Sequence, residues 1–162
     1  MENDILIDGL TDCLIKRDSG EVFETEYREM KSIPKKKGKW NFDWKTPQND
    51  GYTVYELFIK GIPDVQGRIA LKVEKDHVFV SLAESAPHNV GHNGQNIGVG
   101  AHLFAIACKI SFDNNLEGFV SFEAKSDLVD HYMNEIKAKE IAGRLLYLDT
   151  EVANILVEKY NL

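Results

Sequence analysis

The sequence predicts an α+β fold with a mostly antiparallel sheet, one parallel crossover and flanking helices. Three apolar runs within residues 54–83 are separated by short turns, which is typical of an antiparallel meander. A buried helical pattern over residues 101–110 then lies between the third run and a predicted strand at residues 118–123. A strand–helix–strand order of this kind favours parallel pairing through a right-handed crossover.

The first fifty residues are predicted to form short strands and loops. Strands are expected at residues 5–7, 13–15 and 22–27, and the last two are joined by a turn of hairpin type. A lysine-rich stretch at residues 31–39 is predicted to be a solvated loop, with phosphate binding as the alternative.

An aromatic cluster follows this loop. Trp40, Phe42 and Trp44 stand at alternate positions, so on a strand they would share one face. The favoured interpretation is a cluster that closes one end of the core, and the alternative is a platform for a ligand.

The C-terminal part predicts two further helices and one strand. A helix is expected over residues 128–139 and a strand over residues 144–148. A last helix is expected over residues 150–160, with Thr150 as its N-cap. The whole chain, 1–162, is predicted to be a single domain.

Composition narrows the classes of function. The chain has 162 residues, of which 43% are apolar and 28% charged, as in ordinary globular proteins. Nineteen Lys and Arg against 26 Asp and Glu give a net charge of −7. Because neutralising phosphates requires a cationic face, this balance predicts no nucleic-acid partner and no anionic membrane partner. It is compatible with a cationic substrate such as an amine.

Cysteine usage and the N-terminus predict a cytoplasmic protein. Cys13 and Cys108 are far apart among apolar neighbours, which favours neither a disulfide framework nor a zinc cluster. The apolar stretch at residues 5–7 is too short for a signal peptide, and no stretch has the length of a membrane helix.

The segment Gln95-Asn96-Ile97-Gly98-Val99-Gly100 is the strongest candidate for a binding site. Its glycines permit a close backbone approach to a ligand, and the helix that follows presents unpaired N–H groups to an anion. The dinucleotide glycine motif is excluded because Leu103 replaces its third glycine, and a Walker lysine is missing. The alternative is that the glycines only allow close packing of helix on sheet.

Gln95-x-x-Gly98-x-Gly100 resembles the Gln/Arg-x-x-Gly-x-Gly/Ala signature of the GNAT superfamily, the acyl-CoA-dependent N-acyltransferases. The element order around it is similar to that of the superfamily over residues 52–148. The resemblance implies that acetyl-CoA is the acyl donor. It also implies a set of residues that hold the donor, by their backbone amides or alongside its pantetheine arm: Leu82, Ala83, Gln95, Asn96, Ile97, Gly98, Val99 and Gly100.

Two residues are implied to carry the chemistry. Tyr132 corresponds to a tyrosine that would protonate the departing thiolate, and its alternative role is packing. Glu84 ends the third strand of the meander, where it would take a proton from the amine, and its alternative role is that of an ordinary exposed glutamate. A backbone N–H of the same strand would stabilise the oxyanion.

Metal binding and thiol chemistry are not favoured. His88 and His92 are four residues apart, but the glycines around them make a helix improbable, and neither His77 nor another residue completes a ligand set. Cys108 falls inside the predicted buried helix and is expected to be inert.

The chain also departs from the superfamily pattern. The first fifty residues lack the expected pair of helices, Lys125 replaces an asparagine often found near the tyrosine, and a helix ends the chain where a last strand pair is usual. The leading hypothesis is an N-acetyltransferase that acts on a primary amine in a ternary complex. The alternative is a non-catalytic CoA-binding or protein-interaction module, and the N-terminal strands offer an edge for a homodimer.

Overall fold

A seven-stranded sheet organises the protein. The computed structural model describes residues 14–16, 18–32, 38–89, 96–97 and 99–162. Within these residues the main sheet consists of β3 (Thr25–Glu29), β4 (Thr53–Ile59), β5 (Val65–Val73), β6 (Val78–Ser85), β8 (Val120–Glu123), β9 (Lys139–Ala142) and β10 (Leu145–Leu148). Their spatial order is β3-β4-β5-β6-β8-β10-β9. All neighbours are antiparallel except β6 and β8, which are parallel. The predicted α+β class, meander and parallel crossover are therefore confirmed.

A second, small sheet joins the N-terminal hairpin to the glycine-rich segment. It contains β1 (Leu14–Lys16), β2 (Val22–Phe23) and β7 (Asn96–Ile97), in the order β2-β1-β7. The predicted pairing of the strands at residues 13–15 and 22–27 is confirmed. The second of these strands is divided in two, however, because its C-terminal part belongs to the main sheet as β3. The strand predicted at residues 5–7 lies outside the described residues.

Four α-helices surround the main sheet in the described part of the chain: α1 (Lys45–Asn49), α2 (Val99–Asp113), α3 (Val129–Glu135) and α4 (Thr150–Lys159). Short 3₁₀ turns stand at Pro87–Asn89 and Ser126–Leu128. Across these described segments, every helix is too short or too polar to span a membrane.

The core lies between the sheet and α2. Leu103, Ile106 and Ala107 of this helix are fully buried against β5, β6 and β8, and α4 covers the helix from the outside. A smaller apolar cluster, centred on Trp44, Val54 and Ala70, occupies the other face of the sheet. The sheet is therefore covered on both faces near β5 and β6, as the apolar composition of β6 predicts.

Two predicted elements are wrong in detail. Trp40, Phe42 and Trp44 do form an aromatic cluster, but on bends and a turn before α1, with no strand there. The helix predicted over residues 128–139 ends at Glu135, because Lys137 adopts a left-handed backbone conformation with φ of 58°. The chain then returns as β9 and pairs antiparallel with β10 at the edge of the sheet, where the sequence predicts helix up to residue 139.

The N-cap of α4 is Asp149 and not Thr150. The Asp149 carboxylate accepts a hydrogen bond from the Val152 N–H at 3.0 Å, whereas the Thr150 hydroxyl donates to the Glu117 carbonyl. Asp149 also accepts a hydrogen bond from the Lys139 ammonium. The cap therefore connects α4 to the edge strand β9.

We expect Asp149→Ala to lower the free energy of unfolding by about 1 kcal/mol, as for other lost N-caps. The Lys139 ammonium, and next the Val152 N–H, lower the pKa of Asp149 below its usual range. Such a group stabilises the fold above about pH 4, and the contribution is lost as the pH falls through the lowered pKa. Urea unfolding of the wild type and the alanine variant at pH 7 and pH 3 measures this difference.

Asp149→Asn is the matched control, because asparagine is an equally good N-cap without a titratable group. At pH 7 this variant should keep most of the free energy of unfolding of the wild type. The contribution of its N-cap to that free energy should not change with pH. An alanine variant as stable as the wild type at pH 7 would show that the cap contributes nothing.

Candidate functional site

The site lies where β6 and β8 separate. These parallel strands pair at Val78↔Val120, Phe79↔Ser121 and Val80↔Phe122, and beyond this point β6 pairs only with β5 in the described residues. The gap contains a cavity of about 50 Å³. Its lining residues come from both strands, two helices and the segment before α1: Phe42, Val80, Ser81, Leu82, Ala83, Phe104, Phe122, Glu123 and Tyr132.

A β-bulge in β6 shapes this gap. Val80 pairs with Leu71 and Leu82 pairs with Ala70, so Ser81 has no partner in β5. An extra residue in one strand disrupts the ladder locally and reverses the alternation of side chains beyond it. Val80 accordingly packs in the core beneath α2, whereas Glu84 lies on the opposite face of the sheet.

Tyr132 reaches the cavity from the helix side. It is 4% exposed, and its ring makes edge-on contacts with Phe104 and Phe122 at centroid distances of 5.8 Å and 5.1 Å. Three aromatic rings in mutual contact restrict one another's rotation. The structure therefore places Tyr132 in the same cavity as Leu82 and Ala83, the residues predicted to flank the acyl donor.

Glu84 does not line the cavity. Its carboxylate is 2% exposed and accepts three hydrogen bonds: from the Asn41 N–H at 2.6 Å, the Phe42 N–H at 3.2 Å and the Trp44 indole N–H at 3.0 Å. A carboxylate has about four acceptor positions, so most of them are already used. The base role of Glu84 stays a prediction, and the contacts show that it also anchors the segment before α1.

The predicted diphosphate loop is described in part. Gln95 and Gly98 lie outside the described residues. Asn96 and Ile97 belong to β7 and pair with Lys16 and Ile15, so alternate peptide groups point towards β1.

Val99 and Gly100 are the first residues of α2, two positions earlier than predicted, and both are buried. The first N–H groups of this 15-residue helix have no acceptor within the helix itself. Their role in binding an anion stays a prediction.

Comparison with known proteins identifies the fold. No family model and no curated protein sequence matches the chain. A solved structure of a tyrosine-to-phenylalanine variant of the toxin AtaT, bound to the C-terminus of the antitoxin AtaR, aligns with a TM-score of 0.53 and 12% identity over 82% of this chain and 96% of that one. A structure of the AtaT–AtaR complex bound to DNA aligns with a TM-score of 0.57 and 15% identity over 81% and 98%. AtaT is a toxin with the GNAT fold.

This chain has a GNAT-like fold. A structure of nourseothricin acetyltransferase also aligns, with a TM-score of 0.42 and 14% identity over 86% of this chain and 87% of that one. The two AtaT alignments confirm the resemblance predicted from Gln95, Gly98 and Gly100 at the level of the fold.

The comparison corrects the predicted partners. The net charge predicted that no nucleic acid is involved, but a GNAT-like neighbour occurs in a complex bound to DNA. The exclusion is wrong because net charge averages over the whole surface, whereas assembly with a second protein changes which surfaces a complex presents to DNA.

Two residues of the cavity in this GNAT-like fold were not among the predicted site residues. The sequence places Phe42 in the aromatic cluster, with a ligand platform only as the alternative, and it gives no signal for Glu123. Phe42 enters the cavity from a segment outside the matched pattern, and Glu123 lies at its mouth, where it forms an ion pair with Arg144 at 3.1 Å. The alternation of side chains along β8 predicts that Glu123 points away from the buried Phe122. Nothing in the sequence of β8 indicates that this strand separates from β6 at this point.

The buried titratable groups of α2 do not line the cavity, and burial favours their uncharged forms. Burial lowers the pKa of His102 to about 3, so this imidazole is neutral at physiological pH. Burial raises the pKa of the Cys108 thiol, which leaves no reactive thiolate. In the described residues, no three His, Cys, Asp or Glu side chains are grouped to hold a metal, and His92 lies outside them.

A larger groove, of about 590 Å³, lies elsewhere in the described part of the chain. It covers the outer surface of β8 and β10, and Ile141 and Tyr147 are among its lining residues. It contains neither Tyr132 nor the β6 bulge, so it is separate from the candidate site.

Proposed function

We propose that the protein is an acyl-CoA-dependent N-acetyltransferase, which transfers an acetyl group to a primary amine by direct attack in a ternary complex. The observation that carries the proposal is the buried Tyr132, which lines the same small cavity as the β6 bulge on a GNAT-like scaffold. The Tyr132 hydroxyl, as a proton donor, and the backbone at the β6 bulge would then both face a thioester bound in this cavity.

The donor would lie along the free edge of β6. Beyond Val80 this edge has no partner strand among the described residues, so its peptide groups at Leu82 and Ala83 are available to an extended pantetheine arm. The backbone amides of residues 95–100, with the first turn of α2 behind them, would bind the diphosphate. Both features support binding of acetyl-CoA.

The chemical step would follow from the same geometry. The amine attacks the thioester carbonyl, and a backbone N–H near the Ser81 bulge stabilises the oxyanion that forms. The C–S bond then breaks, and the Tyr132 hydroxyl donates its proton to the departing thiolate. The second proton of the amine, left on the acylated nitrogen, passes through solvent to the tyrosinate and restores the hydroxyl. The ammonium must lose a proton before it attacks, and Glu84 remains the base predicted from the sequence, acting through water.

We expect acetyl-CoA to stabilise the protein against heat. At a hundred times its dissociation constant, a ligand that binds only the folded state adds about 2.7 kcal/mol to the free energy of unfolding. A thermal shift series with acetyl-CoA measures this, and release of free thiol with a panel of primary amines measures turnover.

Pantetheine is the control, because it has the arm of CoA without the diphosphate and should stabilise the protein much less. Stabilisation by acetyl-CoA without amine-dependent thiol release would favour a non-catalytic CoA-binding module. An unchanged melting curve at saturating acetyl-CoA would contradict both functions.

A further inference from the structure

The segment 40–44 is fixed to the face of the sheet opposite α2. Trp44 is 2% exposed, and both Trp40 and Phe42 contact its ring nearly perpendicularly, at centroid distances of 6.4 Å and 6.2 Å. The three rings pack on Val54 and Ala70 of the central strands. This segment is therefore a packed wall on the sheet, although it has no regular structure before α1.

Two side chains of the sheet hold this wall. The Glu84 carboxylate accepts the three hydrogen bonds described above, two from backbone N–H groups and one from an indole. Its cross-strand partner Arg68 lies 4.3 Å above the Trp40 ring and is itself oriented by an ion pair with Glu56 at 3.1 Å. Glu84 thus fixes the backbone at residues 41 and 42, and Arg68 fixes the residue before them.

The anchored backbone places Phe42 in the cavity. Phe42 packs with the aromatic cluster on one face of the sheet, whereas Tyr132 belongs to the core on the other face, and both line the same gap between β6 and β8. The cavity of about 50 Å³ has room for only a few water molecules. The Phe42 ring therefore lies beside a group that enters the cavity from the face opposite Tyr132.

We propose that Glu84 is a positioning residue that holds Phe42 at the entrance of the cavity, and that Phe42 selects small, unbranched amines as acceptors. The selection rests on the proposed function, whereas the positioning does not. An apolar ring beside a small cavity favours an alkyl chain over a polar or bulky body, because each polar group that loses water without a partner costs free energy.

Tryptophan fluorescence tests the positioning without turnover. The chain has two tryptophans, Trp40 and Trp44, and both lie in this segment. In Glu84→Gln, an amide NH₂ replaces one acceptor oxygen and opposes an N–H donor, so the segment should detach. We expect a red-shifted emission and at least a twofold larger quenching constant with acrylamide.

Glu56→Gln is the matched control, since it changes a carboxylate on the same face that contacts Arg68 and not the backbone of the segment. Its effect on quenching should be smaller than that of Glu84→Gln. Equal quenching in the wild type and Glu84→Gln would overturn the positioning role.

Competition between butylamine and phenethylamine tests the selection. At saturating acetyl-CoA, Phe42→Ala should raise kcat/KM for phenethylamine relative to butylamine by about tenfold or more. Glu84→Gln should also raise kcat/KM for phenethylamine relative to butylamine. Because both substitutions disrupt the same wall, the variant that carries both should change this ratio no more than the single variant with the larger effect. Phe119→Ala, which removes an aromatic ring outside the cavity, should leave the ratio unchanged.

A base would behave differently. If Glu84 acted only by taking the proton, Glu84→Gln would lower kcat for both amines equally, abolish the acidic limb of the pH–rate profile and leave the ratio and the quenching as in the wild type. That result would overturn the proposal. A wild type that acetylates other amines of the panel but neither of these two would contradict the selection alone, and one that binds acetyl-CoA but acetylates no amine of the panel would contradict the proposed function as well. The quenching result decides the positioning in either case.

Discussion

Tyr132→Phe is expected to lower kcat for acetyl transfer by about 10²–10⁴-fold, the range usual for the loss of a general acid. The substitution keeps the ring, and with it the contacts with Phe104 and Phe122. The melting temperature should therefore change little, and the stabilisation by acetyl-CoA should persist. Steady-state thiol release measures the rate, and circular dichroism at rising temperature checks the fold.

A change of leaving group separates proton donation from packing. The thiolate released from an aryl thioester is stable and needs less help from an acid. The difference in kcat between the wild type and Tyr132→Phe should therefore become smaller with such a donor. Tyr147→Phe is the control, because this half-buried tyrosine of β10 lies outside the cavity. Equal rates for wild type and Tyr132→Phe with both donors would refute the acid role.

The parts of the fold that the sequence predicts well are those with strong local patterns. The meander from β4 to β6 has apolar strands and short turns, and α2 has an apolar residue at nearly every position. For such segments the local preference and the tertiary environment agree. The parallel pairing of β6 and β8 then follows from the general preference for right-handed strand–helix–strand connections and not from any single residue.

The end of α3 shows why the boundaries were harder to predict. The pattern of apolar residues continues past Glu135, and no glycine or proline marks the stop. Lys137 nevertheless takes the left-handed conformation, which a non-glycine residue adopts when its surroundings favour the turn. Burial of Ile136 and Ala138 in the core provides such surroundings, and they depend on residues distant in sequence.

The candidate site was predictable in part for a related reason. Tyr132, Leu82 and Ala83 come together because their positions follow from the order of elements. The orientation of Glu84 depends on the bulge at Ser81, and nothing in an apolar strand sequence indicates which residue will be extra. One additional residue places Glu84 on the face of the sheet opposite α2, where it meets the aromatic segment.

Gly67→Ala is expected to raise the KM for acetyl-CoA by about tenfold, although residue 67 lies on β5 and outside the cavity lining. A methyl group there would lie 2.8 Å from Val99 Cγ1 and 3.1 Å from Leu103 Cδ1, both on the first turns of α2. Val99 is β-branched and buried, so the start of the helix must shift instead. A shift of these N–H groups would weaken the predicted diphosphate site.

Gly118→Ala separates this effect from a general loss of stability. Gly118 has φ of 81°, and a methyl group there would lie 2.6 Å from both Ala153 Cβ and Phe112 Cζ, near the other end of α2. Overpacking of this kind costs about 1–3 kcal/mol, so both variants should lose stability in urea. Only Gly67→Ala should lose affinity for acetyl-CoA in a thermal shift titration. If both variants lose stability and both keep the wild-type affinity, the start of α2 does not hold the diphosphate, because its displacement would then have no effect on the ligand.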